Sequence, residues 1–139
     1  MAKKRKKKHK VDGIEFDSKT EAVHYQILRD NKDIEIISRQ KTFSLFDNFT
    51  HTKLPEFKKA THRKMVYTPD FIIKIKGVKY PIAMETKGHA RKDYMIRKKL
   101  FTKFYGDRYY FYECKDNSKG DKLKKDLEVM INAQKHAGK

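Results

Sequence analysis

Two acidic residues, Asp70 and Glu85, and one basic residue, Lys87, lie in two extended runs near the middle of the chain. The runs, 66–76 and 78–87, are rich in β-branched and aromatic residues, which is typical of β-strands. Successive side chains of a strand point to opposite faces, so Glu85 and Lys87 share one face. The pairing of the two runs decides whether Asp70 lies on that face as well.

The residues between the runs, Lys76 and Gly77, are typical of a two-residue hairpin turn. With these two as the turn, Asp70 lies opposite Ala83 and diagonal to Glu85, about 7–8 Å away at the backbone. The other face is then almost purely apolar, as a half-buried antiparallel pair requires. That apolar face consists of Phe71, Ile73, Ile75, Val78, Tyr80, Ile82 and Met84. The face with the acids is expected to be exposed.

Two carboxylates and an amine on one face suit a hard divalent cation such as Mg²⁺, for which Mn²⁺ is expected to substitute. Asp70, Glu85 and the carbonyl of Thr86 would supply part of an octahedral ligand set, completed by water and a phosphate oxygen. Lys87 could orient or deprotonate the attacking water, or stabilise the charge that develops on phosphorus. The pattern therefore predicts phosphodiester hydrolysis, and the alternative is a surface acid–lysine pair at a strand end.

Glu21 is a candidate third acid for the same site. Helical periodicity predicts a helix that begins after Ser18 and ends near Asn31. Glu21 falls within the apolar arc of this helix, where an unpaired charge is costly. The run from Ser18 to Glu21 also fits the capping box, in which the acid folds back on the cap residue. Both roles remain open from the sequence.

The chain has 139 residues, enough for one domain, and its 35 Lys and Arg against 18 Asp and Glu give a net charge of +17. Self-repulsion of that size favours a polyanionic partner, so nucleic acid is the expected ligand. The basic residues are densest at Lys3, Lys4, Arg5, Lys6, Lys7 and Lys8. This block predicts a disordered, phosphate-binding arm over residues 1–12, followed by a single domain over residues 13–139.

Several classes of protein are not expected from the composition. Apolar runs are far shorter than the roughly 20 residues that span a bilayer, so we expect no membrane partner. The basic N-terminus is not followed by an apolar segment, which favours a cytoplasmic location over secretion. A single cysteine, Cys114, excludes a disulfide framework within one chain, and no two histidines have metal-ligand spacing, so zinc is not expected.

The remaining periodicity predicts a mixed α/β fold with the order helix, three strands, helix, strand, helix. After the first helix we expect short extended pieces at 34–37 and 43–46, a long polar loop at 47–63, a helix at 91–105, a strand at 109–114 and a final amphipathic helix from 123.

Two stretches, Tyr67-Thr68-Pro69-Asp70-Phe71 and Met84-Glu85-Thr86-Lys87-Gly88, resemble the motif of PD-(D/E)xK nucleases. Together with Phe16-Asp17-Ser18-Lys19-Thr20-Glu21 and Ser38-Arg39-Gln40, they resemble a family of small bacteriophage endonucleases of the Holliday-junction resolvase type. The resemblance covers residues 16 to about 115. It implies a restriction-endonuclease-like core, a mixed sheet flanked by helices in the order α-β-β-β-α-β-α, and a bacterial host cytoplasm as the location.

The resemblance also implies roles for individual residues. Asp70 and Glu85 would be metal ligands, Lys87 the catalytic lysine and Glu21 a helix-borne acid near the metal. Arg39 and Gln40 would be accessory, the alternatives being a solvated charge and a strand-end hydrogen bond. Backbone phosphates would be bound by the arm, by Arg39 and Gln40, and by Arg91, Lys92, Lys98 and Lys99.

The resulting prediction is a Mg²⁺-dependent endonuclease that acts on branched DNA and resolves four-way junctions. Paired cuts require two active sites, so a homodimer is expected, with the apolar residues of the first helix and segment 47–63 as candidate interfaces. Two alternatives stay open: a sequence-specific or transposon-end nuclease, and a non-catalytic architectural DNA-binding protein.

Overall fold

The computed structural model describes residues 9–52, 54–56, 61–86 and 92–137. These residues form three helices: α1 (Lys19–Asp30), α2 (Lys92–Tyr105) and α3 (Asp121–Ala137). They also form ten strands: β1 (His9–Val11), β2 (Ile14–Phe16), β3 (Ile34–Arg39), β4 (Phe43–Phe46), β5 (Phe49–Thr50), β6 (Thr61–His62), β7 (Met65–Tyr67), β8 (Phe71–Ile75), β9 (Ile82–Thr86) and β10 (Tyr110–Cys114).

Four strands form a central mixed sheet in the order β10-β9-β8-β3. The pairs β3–β8 and β8–β9 are antiparallel, whereas β10 lies parallel to β9. A parallel neighbour needs a crossover connection, and α2 provides it between β9 and β10. The expected mixed α/β class is confirmed, since three sheet strands lie between α1 and α2 and a fourth follows α2.

The predicted limits of α1 are confirmed. Ser18 caps the helix, because its Oγ accepts a hydrogen bond of 3.1 Å from the N–H of Glu21. At the other end, Asn31 is the C-cap, and its N–H donates to the carbonyl of Leu28. A capping hydrogen bond at each end thus takes over where the regular helical hydrogen bonds run out.

The central sheet is covered on both faces. Helices α1 and α3 cover one face through Leu28, Leu123 and Leu127, all buried against the alternating apolar residues of β8 and β9. Helix α2 and the β4–β7 pair cover the other face, where Phe101 and Tyr67 are buried. The face that carries Asp70 and Glu85 is therefore not the exposed surface expected from the sequence.

The tight turn predicted at Lys76-Gly77 is present, since the N–H of Val78 donates to the carbonyl of Ile75, but the strand register predicted from it is wrong. Observed partners are Phe71 with Met84 and Ile73 with Ile82, so residues 76–81 form the connection. The predicted pairing of Asp70 with Ala83 is wrong as well, because Ala83 pairs with Ile72. Extending the observed register by one position places Asp70 directly across from Glu85.

Two local features account for the longer connection. The N–H of Val78 donates to the carbonyl of Ile75 at 3.0 Å, which closes a tight turn and buries Val78 in the core. Pro81 has no N–H and so cannot donate in the ladder just before β9. The register differs from the expected one by two residues, and a shift of two keeps every side chain on its predicted face.

The predicted single run at 66–76 is two strands. β7 pairs with β4, and β8 pairs with β3 and β9. Pro69, which is fully buried, lies between β7 and β8 and breaks the run. The chain changes sheet at this point, so Asp70 comes at the start of a strand rather than within one.

The predicted loop at 47–63 contains β5 and β6, which pair antiparallel. At the N-terminus, β1 pairs with β2, so described strand structure begins at His9, inside the segment assigned to the arm. Residues 1–8, including the lysines of the basic block, lie outside the described residues. Within the described ranges, no helix combines the length and apolar character that a membrane crossing requires.

Two glycines with positive φ provide a matched test of packing in this fold. Gly77 has φ +87° and only open space where a Cβ would lie, whereas at Gly120, with φ +76°, a Cβ would lie 2.3 Å from Cδ1 of Ile27 and 3.1 Å from Cγ1 of Val23. We expect Gly77→Ala to lower the free energy of unfolding by about 1 kcal/mol through backbone strain. Gly120→Ala should cost about 1–3 kcal/mol more, because α1 must also be displaced from the start of α3.

Urea unfolding followed by circular dichroism measures both differences. Equal losses in the two variants would contradict the close approach of α1 to Gly120.

Candidate functional site

Three acidic side chains from three elements meet at one end of the central sheet. Glu21 lies in the first turn of α1, Asp70 immediately precedes β8, and Glu85 lies on β9. The negative charge of Asp70 raises the pKa of both Glu21 and Glu85, and the charge of Glu21 raises that of Glu85. The structure thus brings together the three acids that the sequence singled out, and we call them the acid cluster.

Asp70 is held from both neighbouring strands. The N–H of Thr86 donates a hydrogen bond of 2.8 Å to Oδ2 of Asp70, and the N–H of Gln40 donates to the Asp70 carbonyl at 3.2 Å. Gln40 adopts φ +53°, a left-handed conformation that is uncommon outside glycine. The carboxylate of Asp70 is therefore oriented by a backbone group, which side-chain substitutions elsewhere do not remove.

Glu85 is held by an aromatic hydroxyl. The Oη of Tyr67, a residue only 4% exposed, donates a hydrogen bond of 2.5 Å to Oε2 of Glu85. Burial and the adjacent Glu85 raise the pKa of Tyr67, so the tyrosine stays a donor at any ordinary pH. A second acid, Glu113 on β10, is the register partner of Glu85.

Glu113 is neutralised by its own partners. Tyr94 donates to its Oε2 at 2.7 Å, and Nζ of Lys98 lies 3.0 Å from the same oxygen. Burial acts to raise the pKa of Glu113, but these two hydrogen bonds and the charge of Lys98 lower it overall. Glu113 is therefore a paired carboxylate, in contrast to the acid cluster.

Burial and mutual repulsion raise the pKa values within the acid cluster. Burial first, and then the charge of Asp70, raise the pKa of Glu21 to about 7. Burial also raises the pKa of Asp70 to about 6, against the opposing hydrogen bond from Thr86. For Glu85, burial and the charge of Asp70 raise the pKa to about 8. At neutral pH the cluster thus keeps protons that carboxyls ordinarily release, because the protein groups around it do not offset three negative charges.

Of the three acids, Glu21 is the one whose carboxylate lacks a hydrogen-bond partner for a buried oxygen among the described residues. Its side chain is 7% exposed, and Oε1 is buried with no hydrogen-bond partner among the described residues. The cap of α1 uses the backbone N–H of Glu21, not its carboxylate. An unpartnered buried carboxylate oxygen is rare in folded proteins and calls for an explanation such as an ion.

A divalent cation fits this arrangement. Glu21, Asp70 and Glu85 offer only carboxylate oxygens, the donor type that Mg²⁺ and Mn²⁺ prefer, and Oε1 of Glu21 has no competing partner in the described part of the chain. A cation at this position would offset the repulsion that raises the pKa values of the cluster. These three residues are thus the ones that would hold it.

Arg39 and Gln40, predicted as accessory, lie beside the cluster. Burial raises the pKa of Glu21 and of Asp70, and the positive charge of Arg39 partly opposes this rise. The guanidinium of Arg39 lies 4.6 Å from the ring centre of Phe16. Its Nε is buried, and none of the residues that the structure describes accepts a hydrogen bond from it. Arg39 is therefore not the freely solvated charge given as its alternative, because it is half-buried next to the acids.

The structure also contains a buried polar network that sequence reasoning missed. His24 is fully buried on α1, with Nδ1 3.0 Å from Oγ1 of Thr86 and Nε2 2.8 Å from Oδ2 of Asp116. Asp116 in turn accepts the N–H of Leu123 at the start of α3. The network joins α1, β9 and α3 immediately behind Glu21 and Glu85. Its sequence signal was a histidine within the apolar arc of α1.

Within the described residues, ligand atoms of three side chains come within 4.8 Å of one another at His24, Cys114 and Asp116. Both ring nitrogens of His24 and the near oxygen of Asp116 already have hydrogen-bond partners in this group. Burial lowers the pKa of His24, so the ring is neutral and acts through these hydrogen bonds. The group is accounted for as a structural network, whereas the acid cluster is more open and unsatisfied.

The other predicted site residues fall into three groups. Lys92 and Lys99 are exposed on α2, where they are accessible to phosphates. Lys98 is paired with Glu113 and is not the free phosphate contact expected for it. Lys87, Arg91 and residues 3–8 lie outside the described residues. Sequence reasoning did not identify Asp17 as a neighbour of the site. After burial, which is the main cause, the charge of Asp17 contributes to the raised pKa of Glu21 and of Asp70.

The fold and site define a strongly basic, mixed α/β protein with an acid cluster at one end of its central sheet. The chain belongs to the DUF1064 family, described as a protein of unknown function, which matches residues 1–120. That match includes all three acids and ends just before α3. No curated protein matches the chain, and no solved structure matches it.

Because the pKa of Glu21 is raised, removing its charge is expected to increase the free energy of unfolding by an amount that depends on pH. Between its ordinary pKa of 4.5 and about 7, the native state binds more protons at Glu21 than the unfolded state, so stability falls as the pH rises through this window. In EDTA, Glu21→Gln should therefore raise the free energy of unfolding by about 1–3 kcal/mol at pH 8 and change it little at pH 5. Urea unfolding at both pH values measures the effect.

Ser18→Ala is the matched control, because it removes the hydrogen bond to the backbone N–H of Glu21 and leaves the three carboxylates in place. It should lower stability by about 1 kcal/mol at both pH values. A loss of stability at pH 8 in Glu21→Gln would show that the carboxylate is held by a favourable partner rather than repelled.

Proposed function

We propose that the protein is a metal-dependent endonuclease that hydrolyses phosphodiester bonds in branched DNA, with four-way junctions as its substrate. The observation that carries the proposal is the acid cluster, with the Glu21 oxygen that no described residue satisfies, in a chain of net charge +17. The basic surface attracts the phosphate backbone, and the acids supply a place for the cation that phosphodiester hydrolysis uses.

A divalent cation bound there would polarise a phosphate oxygen and lower the pKa of a bound water. Glu21, Asp70 and Glu85 would hold it. The hydrogen bonds from Thr86 to Asp70 and from Tyr67 to Glu85 keep two of the acids oriented before DNA binds. Such preorganisation matters because a carboxylate that had to be reoriented during the reaction would raise the barrier.

Lys87 directly follows Thr86, the last residue of β9. In the proposed reaction its ammonium stabilises the negative charge that develops on phosphorus, or its amine accepts a proton from the attacking water. Arg39, whose charge already acts on Glu21 and Asp70, is placed to contact a phosphate at the same site.

The acid cluster favours an enzyme over an architectural DNA-binding protein. Three carboxylates, of which Glu21 is buried and the other two are half-buried, repel both one another and the phosphate backbone, so they weaken a protein that only binds DNA. They are useful where a cation is held between protein and phosphate. The proposal of a nuclease follows from this, and a sequence-specific nuclease would differ from a junction resolvase in the DNA that it cuts.

Resolution of a junction needs two cuts related by two-fold symmetry, so the proposed enzyme acts as a homodimer. One of the two candidate interfaces is not available, since Ala22 and Leu28 of α1 are buried in the core of the same chain. In segment 47–63, the described side chain of Leu54 is 63% exposed and is the candidate contact that remains.

The catalytic assignment predicts that Asp70→Asn, Glu85→Gln and Lys87→Ala each lower the cleavage rate at least about 100-fold, because each removes a group that acts on the transition state. Affinity for DNA in Ca²⁺ should stay within about threefold, since binding depends on the phosphate contacts. Gel assays with a four-way junction, a linear duplex and a single strand, with and without Mg²⁺, measure rate and substrate choice.

Glu35→Gln is the matched control, because Glu35 is an exposed acid on β3 that pairs with Lys74 away from the cluster. It should cleave at the wild-type rate. Near-normal cleavage by any of the three site variants would contradict the assignment, and wild-type binding without cleavage of any DNA would favour the architectural protein.

The dimer predicts a distinctive product from mixed protein. Wild-type subunits combined with Asp70→Asn subunits should form heterodimers that nick one strand of a junction without resolving it. Denaturing gels of a junction labelled on two strands distinguish single from paired cuts. A monomer by light scattering, both free and on DNA, would exclude the resolvase form of the proposal.

A further inference from the structure

The strand pairs β4–β7 and β5–β6 are two short sheets that follow one another along the same two chain segments. Phe46 pairs with Met65, and three residues further along, Phe49 pairs with His62 in the same register. Between these pairs, Oδ1 of Asn48 accepts the N–H of Lys64 at 2.7 Å, so a side chain bridges the strands where the ladder is interrupted. We call this two-stranded segment, residues 43–50 with 61–67, the ribbon.

The base of the ribbon is attached to the acid cluster. Tyr67, on β7, is buried and donates its hydroxyl proton to Glu85. His62 lies five residues before Tyr67 on the same strand of the ribbon. At about 3.3 Å per residue, the far end of the ribbon stands roughly 17 Å from Tyr67. The ribbon therefore sets a fixed distance between the acid cluster and whatever its far end contacts.

The far end of the ribbon carries stacked rings. The rings of Phe49 and His62 are 4.9 Å apart at their centres and nearly parallel, with an interplanar angle of 22°. His51 lies 5.0 Å from His62 at 30°, and Phe46 meets the edge of Phe49 at 5.6 Å. We call Phe49, His51 and His62 the ring stack.

The ring stack lies outside both hydrophobic cores. Phe49 is 45% exposed and belongs to neither core. The surrounding sequence is basic, with five Lys and Arg against two acidic residues over 47–64. Flat, exposed rings in a basic setting match the way proteins bind the bases of single-stranded nucleic acid.

We propose that the ring stack binds an unpaired base of a DNA strand, by stacking the base on the exposed ring of Phe49, which His62 supports from its other side. Bases within a duplex are covered on both faces by their neighbours, so only an unpaired or unstacked base offers a free face. Branch points provide such bases. The inference rests on the proposed function for its ligand, DNA, and it assigns the selection of branched over linear DNA to the ribbon.

The test measures binding separately from cleavage. Duplexes of equal length, one fully paired and one with an unpaired loop that contains 2-aminopurine, are titrated with protein in Ca²⁺. Phe49→Ala should weaken binding to the looped DNA at least about fivefold and abolish the quenching of 2-aminopurine fluorescence. Its affinity for the fully paired duplex should change less than about twofold, since phosphate contacts remain.

Three further variants test whether the loss of binding comes from the loss of a flat ring at position 49. Phe49→Tyr keeps a flat ring and should retain binding, whereas Phe49→Leu keeps apolar surface without a ring and should not. Phe104→Ala is the matched control, because Phe104 on α2 is 44% exposed and lies outside the ring stack. It should bind both DNAs like the wild type.

The proposal is overturned if Phe49→Ala binds looped DNA normally, if both DNAs are weakened equally, or if Phe49→Leu binds as well as Phe49→Tyr. Conversion of a dimer to a monomer by Phe49→Ala in light scattering would also overturn it, by assigning the ring stack to a second copy of the chain. Failure of the wild type to cleave any DNA would instead count against the proposed nuclease and leave the binding result interpretable.

Discussion

Mutual repulsion among the carboxylates of buried Glu21 and half-buried Asp70 and Glu85 is the interaction on which the local structure depends most. Glu21, Asp70 and Glu85 would separate or be drawn into water if their elements were free to move, because burial and the neighbouring charges both disfavour ionisation. The fold prevents this by fixing each acid to a different element. A backbone N–H holds the carboxylate of Asp70, Tyr67 holds Glu85, and α1 positions Glu21.

The elements that hold the acids are themselves locked together by the His24–Asp116 pair. His24 lies one helical turn after Glu21, its ring contacts Thr86 beside Glu85, and Asp116 anchors the start of α3. A buried, fully hydrogen-bonded network of this kind specifies one arrangement of its elements, since any other would leave polar groups unsatisfied. Stable geometry behind the acid cluster thus comes from a polar network within an apolar core.

The ribbon likewise holds a proposed functional group, the ring stack, in position relative to the acid cluster. Tyr67 belongs both to the ribbon and to the support of Glu85, so the ribbon that carries the proposed base contact is attached to the proposed catalytic acids. A strand pair is stiff along its length because each residue is fixed by its neighbour across the ladder. Under the proposed function, recognition of a branch and positioning of the cut phosphate are thus linked by a strand pair rather than by a flexible loop.

Local signals in the sequence determined much of this protein. Helical periodicity and the cap at Ser18 predicted α1, and strict alternation predicted which residues of β8 and β9 face the core. The three acids were also singled out, Asp70 and Glu85 by their shared strand face and Glu21 by its place within the apolar arc of the first helix. Each of these inferences depends on interactions within a few residues, which a single sequence reports directly.

The tertiary structure decided what depends on residues far apart in the chain. The register of β8 and β9 did not follow from the tight turn at Lys76-Gly77, because residues 78–81 extend the connection beyond that turn. The partners of His24 are 62 and 92 residues away, so no spacing in the sequence could show them. Burial of the acid face likewise needed α2 to pack across the sheet. Packing between distant segments determines the strand register, the partners of His24 and the burial of the acid face. The reason is that the free energy of burial depends on which surfaces meet and not on their order along the chain.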